Sequence, residues 1–160
     1  MPHEPRLSRE LRLLLQSRRV AALGTINDDG SPFVSMVPYA LVPTLACLVI
    51  HVSGLAAHAR NLAARPNASL MVMQAELPGE PVHALPRVTL DVWANELEPG
   101  SQDWQACQAA YLGRFPEAEP MTQLGGFRFL ALEVKGARQV AGFGAARSVD
   151  AEELRQALSA

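Results

Sequence analysis

From Ser53 to Pro66 the chain reads SGLAAHARNLAARP, directly behind the apolar run LACLVIHV of residues 45–52. An apolar strand that gives way to a helix start is a place to hold an anion. The first N–H groups of a helix lack intrahelical partners, and the helix dipole favours negative charge there. Ser53 is expected to cap that helix, and its hydroxyl can also donate to a phosphate oxygen. His58, Arg60 and Asn61 add donors within one or two turns. Plainer readings stand beside these. Ser53 can be a cap only, His58 a solvated surface residue, Arg60 a partner of solvent or a carboxylate. His51, inside an apolar run, reads more readily as a packed histidine than as a base. No nucleophile–base–acid arrangement for hydrolysis is visible, and no metal-ligand spacing surrounds Cys47 or Cys107. His3 and His83 carry no motif.

The elements that must position these residues follow from periodicity. Leu7, Leu11, Leu14 and Leu15 fall at helical spacing, with Ser8 as N-cap and an end near Ser17. A strand is expected over Arg19–Ile26, then a tight turn at Asn27-Asp28-Asp29-Gly30. The returning strand covers 32–41, with Pro38 marking an edge, a bulge or a missing ladder bond. Residues 45–52 form a third strand, 55–64 a short helix and 68–75 a fourth strand. A proline-rich loop spans 76–86. Residues 87–97 form a fifth strand, 101–115 a helix and 126–135 a sixth strand. Residues 139–143 are expected to resume the sheet after a break at Gly136, and 150–158 to close the chain as a helix capped by Asp150. The expected fold is mainly β with helices at the ends and in two connections, an antiparallel barrel. Tyr39 and Trp93 read as packing residues that can also border a ligand pocket.

The 160 residues suggest a single domain over 1–160. Hydrophobic residues make up 49%, enough for a core, whereas the 19% charged fraction is low and points to apolar surface covered by a partner chain. A net charge of −2 without basic runs argues against nucleic acid and acidic membranes as partners. Cys47 and Cys107 read as two buried thiols of a cytoplasmic protein rather than a disulfide. The polar start MPHEPRLSRE has no signal-peptide character, and no stretch approaches a membrane span.

Four segments together resemble the flavin-binding split-barrel proteins related to pyridoxamine 5′-phosphate oxidase, in the branch of the haem-utilisation proteins. They are SRRVAALGTINDDGSPFVSMVPYA, HVSGLAAHARNLAARPNASLMV, PRVTLDVWA and QVAGFGAAR, spanning about residues 13–150. The resemblance implies a six-stranded split barrel that forms a homodimer with two FMN sites at the subunit interface. It implies that Ser35, Met36, Val37 and Pro38 run along the flavin, and that His51, Val52 and Ser53 lie near the ribityl phosphate. His58 stands where the oxidases have a phosphate-binding Lys, and Ala57 where they have an Arg, with Arg60 or Asn61 compensating. Arg87 replaces a flavin-contacting Gln, and Arg147 is implied to reach the cofactor from the partner subunit.

The expected function is that of an FMN-dependent oxidoreductase, with the flavin accepting or donating a hydride and no protein acid or base assigned. Vitamin B6 oxidation is not expected, because GFGAARSVDAEE replaces the Arg-Leu-His-Asp-Arg type segment of the oxidases. Two rivals share the scaffold. One is a haem-binding or haem-degrading protein with His51 or His58 as axial ligand. The long haem-utilisation proteins carry a further C-terminal region for haem, and the sequence ending at Ala160 is expected to lack it. The other rival is a non-catalytic flavin binder.

Overall fold

The computed structural model describes residues 3–160. Helix α1 (Arg6–Ser17) turns its Leu11, Leu14 and Leu15 inward, as their spacing requires. It starts after Pro5, not at Ser8, whose hydroxyl instead donates to Glu153 at 2.6 Å. Strands β1 (Val20–Ile26) and β2 (Pro32–Pro38) form the expected hairpin, with Gly30 at φ +85° in the turn.

The strand expected over 32–41 is bent. It breaks at Tyr39 and resumes as β3 (Ala40–Val42). The two halves lie at opposite ends of one sheet, whose order is β2-β1-β5-β6-β7-β4-β3. The first half pairs with β1 and the second with β4, so this single bent strand curls the sheet into a split barrel. Pro38 sits just before the corner, where its missing N–H does least harm. The corner is pinned by Tyr39, fully buried, whose hydroxyl donates to Leu15 O at 2.7 Å. Arg114 lies over the Tyr39 ring and donates to the backbone oxygens of Gln16, Arg18 and Tyr39.

Residues 43–45 form a 3-10 turn rather than the start of a strand, because Pro43 cannot donate to a ladder. Strand β4 (Cys47–Ser53) then leads to α2 (Ala57–Ala64), β5 (Asn67–Met73) and β6 (Arg87–Glu96). Ser101 caps α3 (Gln102–Arg114), and a short α4 (Glu119–Thr122) precedes β7 (Phe127–Val140). No break occurs at Gly136. The ladder to β6 absorbs one extra residue there as a bulge opposite Asp91 and Val92, and β7 runs on to Val140. The chain then turns through Gly142 and Gly144, both at positive φ, into β8 (Ala146–Val149), which pairs with the end of β7. Helix α5 (Ala151–Ser159) is capped by Asp150, as expected.

Two cores result. The barrel interior, packed with α1 and α5, holds Leu23, Ile50, Leu70, Leu90 and Leu132. A second, smaller core lies on the outer face of β4 and β7 beneath α3, around Val49, Cys107, Tyr111 and Phe129. Cys47 and Cys107 are both in it as buried free thiols. Six strands make the barrel when β2 and β3 are counted as one bent strand, and β8 is an added hairpin arm.

Candidate functional site

The outer face of β2, β1 and β5 has no covering helix. Alternation along the strands turns Val34 and Met36 outward on β2, Val20, Ala22 and Gly24 on β1, and Met71 and Met73 on β5. Met36 and Met71 sit directly opposite the small Ala22 from either side, and Val34 faces Gly24. The low residues of β1 therefore form the floor of a groove and the neighbouring strands its walls. The groove encloses about 560 Å³, and Arg18, Gln74 and Glu76 close its end. Val34 is 68% and Met36 64% exposed, far more than isolated surface apolars need be in a continuous patch. Arg18 Nε is buried without a hydrogen-bond partner among the described residues.

The expected site residues divide among separate places. Met36 lines the groove, whereas Ser35 turns its hydroxyl to the opposite face of the strand, toward His58. Val37, 3% exposed, points into the barrel core, and Pro38 stands at the strand corner. Val52, 2% exposed, is also a core residue, because it alternates with His51 and Ser53 along β4. Neither valine presents a side chain to a ligand.

Ser53 does not cap α2. Its hydroxyl accepts from Leu55 N in a tight turn, its carbonyl accepts from Ala56 N, and Ala56 is the residue at the helix start. The turn is held by Gly54 N donating to Gly126 O at 2.7 Å. A Cβ on Gly54 would meet Arg128 at 3.1 Å and Gly126 O at 3.2 Å. Helix α2 thus begins without a side-chain cap.

His58 Nδ1 lies 3.0 Å from Ser35 Oγ, which ties α2 to the groove strand. Arg60 donates to Leu55 O at 2.8 Å. Asn61 is buried and donates to Thr25 Oγ1 at 3.0 Å and Asn27 Oδ1 at 2.9 Å, so it pins the β1–β2 hairpin to α2. That work leaves its amide nitrogen engaged inside the fold.

His51 is elsewhere, on the outer face of β4 beneath α3. Its ring stacks on Phe127 at 5.2 Å and meets Phe129 at 4.5 Å and Tyr111 at 5.7 Å. Its Nδ1 is buried without a partner among the described residues. Burial lowers the pKa of both His51 and His58, which favours the neutral imidazole. Arg87 faces Met73 across the sheet but donates to the carbonyls of Leu85 and His83. Arg147 holds Glu153 bidentately at 2.8 and 2.6 Å and Gln139 at 2.9 Å within its own chain.

Sequence reasoning did not single out Arg18, Met71 or Met73. The signal was present for the methionines: in Asn67–Met73 the alternate residues 69, 71 and 73 share one face. What was missing was the register that puts that face beside Ala22. Among the described residues no cluster of three or more His, Cys, Asp or Glu side chains is gathered as for a metal ion, and no helix is long and apolar enough to cross a membrane.

A split barrel with an open face on β2-β1-β5 is the architecture of one protein class. The family model "Pyridoxamine 5′-phosphate oxidase" matches residues 7–141, and the chain belongs to that family. Among its relatives is the haem oxygenase HutZ of Vibrio cholerae serotype O1, 33% identical over 152 residues, covering 93% of this chain and 84% of that protein. The crystal structure of the Vibrio cholerae haem storage protein HutZ superposes with a TM-score of 0.75 at 30% identity, over 83% of this chain and 94% of that one. A haem-binding protein from Mycobacterium smegmatis superposes at TM-score 0.86 and 30% identity. It covers 97% of this chain, which spans only 62% of that longer protein. The expected branch within the family is thereby supported.

Proposed function

We propose that this protein binds haem in the groove over β1. The observation that supports this reading most is the 33% identity, over 93% of the chain, to a haem oxygenase. The groove suits such a ligand. Its walls are Val34, Met36, Met71 and Met73, its floor is Val20 and Ala22, and the cationic Arg18 stands at its end. Apolar walls with few polar groups are how proteins hold large flat cofactors. Bound haem would supply an iron centre for dioxygen or electron chemistry. His58, kept neutral by burial, bonds Ser35 from behind the groove strand and does not line the groove.

A second copy of the chain covers the open face in this reading, making a homodimer in which each groove is roofed by the partner. The support is the exposed, continuous apolar surface of Val34, Met36 and Met73. We place the protein in the cytoplasm, where two buried unpaired thiols such as Cys47 and Cys107 are at home. FMN is the second reading. It is favoured by the family match and by the uncapped start of α2 at Ala57 and His58, where free amides suit a phosphate.

One titration separates the readings. Hemin added to purified protein is expected to give a saturable shift of the Soret band at one haem per chain with low-micromolar affinity or better. No saturable change with hemin, together with binding of FMN, would replace the first reading by the second.

A further inference from the structure

We infer that Arg18 is the carboxylate anchor of this groove, holding a propionate of the bound porphyrin; this rests on the haem reading above. Arg18 directly follows α1 and precedes β1, so its backbone is fixed on both sides. Its N–H donates to Leu14 O at 3.2 Å, and its carbonyl accepts from Arg114. Only the side chain is left to act. It lines the closed end of the groove together with Val20 and Met73, while its Nε is shielded from solvent and has no partner among the described residues.

Several other arginines of the chain are already engaged. Arg19 pairs with Glu117, Arg65 with Asp28, Arg128 with Glu96 and Arg147 with Glu153. Arg87 and Arg114 are held by backbone carbonyls. Arg18 takes part in none of the ion pairs among the described residues, although Glu76 lines the same end of the groove. A guanidinium at the end of an apolar groove with no carboxylate partner among the described residues suits an acid, because a carboxylate's two oxygens match its planar geometry. The ligand class the groove selects is therefore an apolar plate with an acid at one edge.

The test compares hemin with its dimethyl ester, in which the propionates cannot accept as anions. Affinities are measured by absorbance titration for the wild type, Arg18→Ala and Arg18→Lys. Light scattering and thermal unfolding are recorded alongside, to confirm that each variant keeps the assembly and fold of the wild type. The expected result is that Arg18→Ala binds hemin about tenfold more weakly. It should bind the ester as well as the wild type does, while Arg18→Lys keeps part of the preference for the acid. Equal affinities of wild type and Arg18→Ala for hemin, or an equal loss for hemin and ester, would overturn the anchor and leave the haem reading standing. Should Arg18→Ala instead dissociate the assembly with no preferential loss of hemin, Arg18 serves a carboxylate of the second copy and the anchor is again overturned. Failure of the wild type to bind either porphyrin would remove the haem reading itself.

Discussion

Replacing Arg147 is expected to destabilise the fold and leave cofactor affinity unchanged. Arg147 holds Glu153 through two hydrogen bonds and Gln139 through a third, at 2.6–2.9 Å. Glu153 also accepts from Ser8 in α1, and Gln139, 2% exposed, donates to Leu7 O. The network therefore joins β7, β8, α5 and α1. The ion-pair side chains are only 26% and 22% exposed, so solvent screens them less than an ordinary surface pair. Arg147→Ala strands the carboxylate of Glu153 and the amide oxygen of Gln139. The expected cost is about 2–3 kcal/mol, a fall in Tm of roughly 4–12 °C for a chain of this size. Glu153→Ala should cost a similar amount, and the double variant should fall short of the sum by about 1–2 kcal/mol. The pair also carries a pH signature. Arg147 and Ser8 hold the Glu153 carboxyl below its ordinary range. Its contribution is therefore complete above the unfolded carboxylate value of about 4.3 and is lost as pH falls through the lower folded value. The stability gap between wild type and Glu153→Gln should close in that acid window. Additive single variants with losses below about 0.5 kcal/mol would refute the network. Weakened haem binding by Arg147→Ala at unchanged Tm would return Arg147 to the cofactor site.

Asn61→Ala removes the donor shared by Thr25 and Asn27. A loss of about 1–3 kcal/mol in urea unfolding is expected, with haem affinity retained; the reverse pattern would make Asn61 a ligand residue. Both tyrosines should resist ionisation. Burial pushes Tyr39 up to about 12 and raises Tyr111 in the same direction. Ultraviolet titration should show little phenolate at about pH 10, where free tyrosine is half ionised. Folding stability should drop as pH climbs from there towards about 12, and half of the phenolate signal already present at pH 10 would contradict the buried corner. Met36→Asp places a charge on the open face. Losing at least about 1.5 kcal/mol of burial at each of two equivalent sites should weaken dimerisation roughly a hundredfold. Analytical ultracentrifugation reads that change, and an unchanged dimer would place the interface elsewhere.

Local chemistry makes most of the barrel legible in the sequence. The Asn27–Gly30 turn, the Ser101 and Asp150 helix starts, and the period-two strands are each specified within a few residues. Pro38 announced an irregularity, but its meaning lay in pairing: only the register shows one strand bent at Tyr39 serving both ends of the sheet. Ser8 and Ser53 show the limit of capping rules. Each has the right side chain at a plausible place, yet Ser8 is taken by Glu153 and Ser53 by its own tight turn. Gly136 shows the same limit, since a glycine that could end a strand instead accommodates a bulge.

The site was harder to read than the fold. Residues implied to share one cofactor are dispersed because strand alternation sends Val37 and Val52 into the core, while His51 falls under α3. Met71, Met73 and Arg18 come together through β1–β5 pairing and through the end of α1, and neither is a local property of the sequence.

The central claim is that an apolar groove over β1 takes haem. Its most direct measurement is the absorption spectrum of the wild type during hemin titration, set beside a variant with the floor filled, Ala22→Leu. Ala22 lines the groove in β1 between Met36 and Met71, where added bulk stands in the trough. The account predicts a saturable Soret shift in the wild type, and its loss in Ala22→Leu with the thermal transition retained. An unchanged haem spectrum in a folded Ala22→Leu variant would contradict it and move the site away from this face.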